Sequence, residues 1–128
     1  MPAIDVSVRN LQTYTLISGI ANSLAVAIGL VSVTIAGLGT CGVGCLLVVL
    51  PMIHLAGAII DFMAYSRLDQ PPSIAVYSAT KISAIADLTA GLAIVPLIMG
   101  IMKLSILGDE EVQRHFGLTG QATTDAAV

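Results

Sequence analysis

A chain of 128 residues has room for one domain, and 56% hydrophobic against 10% charged residues, with a mean hydropathy of +0.96, leaves too little polar surface for a water-soluble fold. The net charge of −3 and pI near 5.0 offer no basic footprint for nucleic acid and no Lys/Arg cluster that would read anionic lipid. Composition therefore points to an integral membrane protein, with the lipid bilayer as its first partner.

Residues 1–13 carry Asp5, Arg9, Asn10 and Gln12 and read as a short interfacial lead-in. From Tyr14 the pattern turns apolar, and residues 14–39 form the first of three stretches long enough to cross a bilayer. Only Arg9 precedes it as a basic residue, and its apolar run is about twice that of a secretory signal, so it is expected to persist as a mature helix. The segment Leu38-Gly39-Thr40-Cys41 departs from a lipoprotein cleavage site at Thr40, so Cys41 is expected to be unmodified.

Gly37, Gly39, Gly42 and Gly44 then disfavour a continuous helix and permit a tight reversal, so the first two stretches should form an antiparallel hairpin. Cys41 and Cys45 in this turn lack the nearby cysteine or histidine partners of a tetrahedral metal site and read as small apolar residues, with a disulfide or reactive thiol as the alternative. No metal and no cofactor are expected.

The second stretch covers residues 45–66. His54 and Asp61 lie seven residues apart, almost two helical turns, and share a face with Gly57, Ala58 and Tyr65. The link Arg67-Leu68-Asp69-Gln70-Pro71-Pro72-Ser73 breaks the chain most clearly, because Pro-Pro cannot continue a helix, and Ser73 is placed to cap the next one.

The third stretch is expected as a single span over residues 78–107, with Lys81 near its start and Asp87 about two turns deeper. Lys81 is expected to pair with Asp61 or Asp87. Pro51 and Pro96 each remove a helical hydrogen bond and should kink or splay their half of the bundle. Residues 108–128 form a short amphipathic or loose tail.

The expected architecture is thus an all-α membrane protein, a single domain of three transmembrane helices in a small bundle. Small residues, Ala25 and Gly29 in the first helix and Ser83, Ala86, Ala90 and Ala93 in the third, let helix backbones approach closely. Packing, within the chain or between copies, is assigned to Gly29, Asp61, Ser83, Asp87 and Ala90. Tyr14, Tyr65 and Tyr77 would fall on one membrane face, and Arg9, Arg67 and Lys81 against Lys103 and Arg114 favour a cytoplasmic N-terminus.

Nucleophile-elbow, zinc-protease, P-loop and dinucleotide-binding signatures are all missing, so no enzyme is expected. The expected function is a structural or accessory subunit of a homo-oligomer or larger membrane complex, joined to itself or to other membrane subunits through helix faces. The alternative is a small oligomeric ion or proton channel using His54, Asp61, Lys81 and Asp87. A weaker alternative is a cofactor- or pigment-binding subunit with His54 as axial ligand.

Overall fold

The computed structural model describes residues 3–39, 48–89 and 94–118. Five helices account for nearly all of them: α1 (Ala3–Gly39), α2 (Val49–Leu68), α3 (Ile74–Thr89), α4 (Ile94–Leu107) and α5 (Glu110–His115). Two of the helices are long and apolar enough to cross a membrane, over Ile4–Leu38 and Val49–Leu68. The reversal expected over residues 40–47, with Cys41 and Cys45, lies outside the described residues.

The third apolar stretch is divided. Where one helix over 78–107 was expected, α3 and α4 occupy 16 and 14 residues and run antiparallel, at about 24 and 21 Å neither reaching across roughly 30 Å of hydrocarbon. Their pairing is fixed by three contacts in reverse order along the chain. Gly100 lies against Ala84 and Asp87. Lys103 Nζ lies 2.7 Å from Ser83 Oγ, and the Tyr77 hydroxyl donates to the Leu107 carbonyl at 3.1 Å.

Proline placement gives the physical reason. In a helix over 78–107 Pro96 would delete an interior hydrogen bond, whereas here it is the third described residue of a separate helix, α4. Pro51 is likewise the third residue of α2. Both prolines thus lie near the described ends of separate helices and not inside longer ones.

Helix α2 packs antiparallel to α1. Gly29 faces Pro51, Asn22 faces Gly57, Gly19 faces Asp61, and Gln12 Nε2 donates to Asp69 Oδ1 at 2.8 Å. The four long helices thus alternate in direction, and each buries one stripe at helical spacing: Leu11, Thr15, Ser18 and Asn22 on α1; His54, Ala58, Asp61 and Leu68 on α2; Val76, Thr80, Ser83 and Asp87 on α3; Pro96, Gly100, Lys103 and Leu107 on α4.

An apolar layer closes one end of the interior, built from Leu11, Leu68, Val76, Tyr77, Leu107, Val112 and Phe116. The last two come from the segment expected as a tail. Asp109 caps α5 by accepting from the Glu111 amide at 2.8 Å, and the short helix folds back so that Val112 and Phe116 seal the bundle. The Ser73 hydroxyl accepts from the Val76 amide at 3.4 Å at the start of α3. Residues 119–128 lie outside the described residues.

The outside of the bundle inverts the usual order. Ile20, Leu24, Ile28, Val31 and Ile35 of α1, Met52, Ile59 and Met63 of α2, Ile82 and Ile85 of α3, and Ile98 and Ile101 of α4 are all exposed. Beyond the ends of α3 and α4, α1 continues with Val31, Ile35 and Leu38 increasingly uncovered, Leu38 being 84% exposed.

Candidate functional site

The polar stripes of the four long helices converge at one level and form a closed cluster of Ser18 and Asn22 from α1, His54 and Asp61 from α2, Ser83 and Asp87 from α3, and Lys103 from α4. Apart from His54, at 6%, every member is fully buried.

Lys103 is the centre. Its ammonium has three acceptor oxygens around it: Asp87 Oδ2 at 2.5 Å as an ion pair, Ser83 Oγ at 2.7 Å and Asp61 Oδ1 at 3.2 Å. Ser83 passes its own hydrogen to Asp61 Oδ1 at 2.6 Å, and Ser18 donates to Asp87 Oδ1 at 2.5 Å. A buried ammonium is tolerated away from water only when it is both paired and hydrogen-bonded, as Lys103 is here.

Asn22 links the carboxylates to His54. Its Nδ2 donates to Asp61 Oδ2 at 3.1 Å and to Asp87 Oδ1 at 3.3 Å. That places its carbonyl oxygen 3.0 Å from His54 Nδ1, so Nδ1 carries the hydrogen and the tautomer follows from the network.

Missing side chains make the cluster possible. A Cβ on Gly57 would stand 3.1 Å from Asn22 Nδ2, and one on Gly100 would stand 2.8 Å from the Ala84 carbonyl oxygen and 3.0 Å from Asp87 Cβ. Glycine at these positions lets the Asn22 amide lie flat on α2 and lets α4 approach α3 closely enough for Lys103 to reach Ser83.

Of the residues assigned to packing, Asp61, Ser83 and Asp87 meet in this cluster, whereas Gly29 lies higher on α1 against Pro51, at 3.1 Å for a hypothetical Cβ. Ala90 lies outside the described residues. Of the residues assigned to an ion path, His54, Asp61 and Asp87 are brought together, but Lys81 is exposed. The expected Lys81 partnership is corrected to Lys103. Lys81 sits two residues from Ser83, on the outer side of α3, while the return of α4 along α3 carries Lys103 inward. In one continuous helix Asp87 and Lys103, 16 positions apart, would be separated by about 24 Å.

Ser18, Asn22 and Lys103 were not singled out from sequence. Their signal was present in the helical spacing of Leu11, Thr15, Ser18 and Asn22 and of Pro96, Gly100, Lys103 and Leu107.

Two grooves on the outer surface do not reach the cluster. One of about 370 Å³ lies between α2 and α3, lined by Ile60, Met63, Ala64, Arg67, Ala75 and Ala79 among others, and one of about 350 Å³ lies between α1 and the start of α4. Among the described residues no group of three or more His, Cys, Asp or Glu side chains is placed to hold a metal ion. No protein family, curated protein or solved structure matches this chain significantly, so the functional reading rests on the chemistry of its own residues.

Proposed function

We propose that this chain is a non-enzymatic integral membrane protein acting as a structural or accessory subunit of a homo-oligomer or larger membrane complex. The observation that carries the reading is the inverted polarity: large apolar side chains cover the outside of all four long helices while Asp61, Asp87 and Lys103 are sealed inside. Water would penalise that exterior, whereas lipid solvates it, and lipid in turn requires the charged groups to satisfy one another internally.

On this reading α1 and α2 cross the bilayer, and α3 and α4 enter from the end that carries Leu11 and Leu68 and return to it. The exposed residues Arg9, Arg67 and Arg114 all belong to that end, and no Asp, Glu, Lys or Arg occurs in residues 23–53 or 88–102. The basic end is the cytoplasmic one by the positive-inside bias. The N-terminus and α5 then share a side, where three crossings would have separated them. Recognition of neighbours falls to the exposed helix faces, because the polar cluster is consumed within the chain.

The test is extraction of the protein from membranes in mild detergent, with the particle mass measured and every co-purifying chain identified. The expected result is a particle holding several copies or additional subunits, with tags at residue 1 and after residue 118 reached by a membrane-impermeant reagent from the same side. Recovery in the aqueous fraction, or as a single copy without partners, would overturn the proposal.

A further inference from the structure

We propose that the buried cluster binds one proton, carried by Asp87, with the Ser18 hydroxyl as its hydrogen-bond acceptor. This goes beyond the accessory-subunit reading and needs no partner chain.

The first observation is the charge count. The titratable groups facing the cluster are His54 and Asp61 from α2, Asp87 from α3 and Lys103 from α4, while α1 contributes only the uncharged Ser18 and Asn22. With both carboxylates ionised and the His54 imidazole uncharged, one ammonium leaves a net charge of −1 in a layer that is fully buried around Lys103. An uncompensated buried charge is the arrangement proteins avoid most consistently, and one added proton removes it.

The second observation distinguishes the two carboxylates. Both oxygens of Asp61 accept hydrogen bonds, from Ser83, Lys103 and Asn22, as an ionised carboxylate requires. Asp87 Oδ2 is the one buried side-chain oxygen or nitrogen among the described residues that accepts no hydrogen bond, and it meets Lys103 as an ion pair. Asp87 therefore accepts fewer hydrogen bonds than Asp61, from Ser18 and Asn22 at Oδ1 only, and is the better place for the proton.

The third observation supplies the acceptor. Thr13, Thr15, Ser23, Ser32 and Thr34 of α1 each donate to the backbone carbonyl four residues earlier, but Ser18 turns instead to Asp87. Rotation of the Ser18 hydroxyl toward the Tyr14 carbonyl, the habit of its neighbours, frees its oxygen to accept from a protonated Asp87 Oδ1. The same pair of oxygen positions serves both states: the carboxylate accepts from Ser18 when ionised and donates to it when protonated. The proton comes from water and returns to it, with no other bond formed or broken.

The experiment is infrared difference spectroscopy of the purified full chain at pH 7, reading the C=O stretch of protonated carboxyl groups and calibrated for the number of groups. One protonated carboxyl per chain is expected in the wild type. Asp87→Asn and Asp61→Asn should each reduce it to none, because either variant leaves one carboxylate balanced by Lys103. Lys103→Met should double it, and Ser18→Ala should move the band to higher frequency through loss of the hydrogen bond. Absence of the band in the wild type overturns the proposal without any variant having to fold, and so does a band that survives Asp87→Asn or is unaltered by Lys103→Met. The readout is independent of particle mass, so failure of the subunit reading would leave it intact.

Discussion

The interior of the bundle is polar around Lys103 and apolar one turn further along α4, around Leu107, and these two layers hold the helices by different means. The apolar layer of Leu11, Leu68, Val76, Tyr77, Leu107, Val112 and Phe116 asks only for volume and shape. The polar layer demands stoichiometry, since each donor on Lys103, Ser18, Ser83 and Asn22 has a named acceptor on a different helix. On the membrane reading proposed above, apolar packing gains little over contact with acyl chains, so a layer that pairs specific helices is what distinguishes this arrangement from other ways of bundling the same apolar segments. The apolar layer closes one end; the polar layer decides which helices meet and in what register.

The largest loss is expected from Lys103→Met, which empties the centre of the polar layer. Removing one partner from a buried ionic group costs about 3–5 kcal/mol, and the loss should appear as a large fall in the thermal midpoint of the detergent-solubilised protein followed by circular dichroism. A midpoint close to that of the wild type would show that the apolar layer alone orders the helices. Next comes Gly100→Ala, which keeps every polar group but forces a methyl to within 2.8 Å of the Ala84 carbonyl oxygen. Separation of α4 from α3 should cost roughly 1–3 kcal/mol, and denaturant titration should place it well below the lysine variant.

A smaller effect sharpens the contrast from the apolar side. Tyr77→Phe keeps the ring against Phe116, whose centroid is 6.0 Å away, and removes the hydrogen bond to the Leu107 carbonyl, for a loss of about 1 kcal/mol in the same titration. Smallest is Gly37→Ala on the uncovered end of α1, where an added methyl meets nothing within 4 Å. There the better helix propensity of alanine should leave stability unchanged or raise it by up to about 1 kcal/mol, and a marked loss would reveal a contact that this surface makes with another chain.

Much of the fold was legible in the sequence because its signals are local. The Arg67–Ser73 break, the apolar length of α1 and α2, and the shared face of His54 and Asp61 need only residue spacing and helix geometry. Pro96 signals an interruption in the sequence too, but residue spacing alone does not distinguish a kink in one long helix from a position near the start of a second. Misreading that residue displaced Lys103 by the length of α4 and left Lys81 as the expected partner of the aspartates.

Composition and spacing alone were enough for an all-helical, strongly apolar chain: 56% of residues are hydrophobic and 10% charged, and the polar residues of the apolar stretches recur at helical spacing. Which charges meet depends on the packing of the helices. Asp61, Asp87 and Lys103 come from α2, α3 and α4, and whether a lysine lies about 24 Å from an aspartate or against it depends on whether the chain reverses between them. That reversal is a property of how the helices pack on one another, with Gly57 permitting the approach of α2 to α1 and Gly100 that of α4 to α3, and not of any run of residues taken alone.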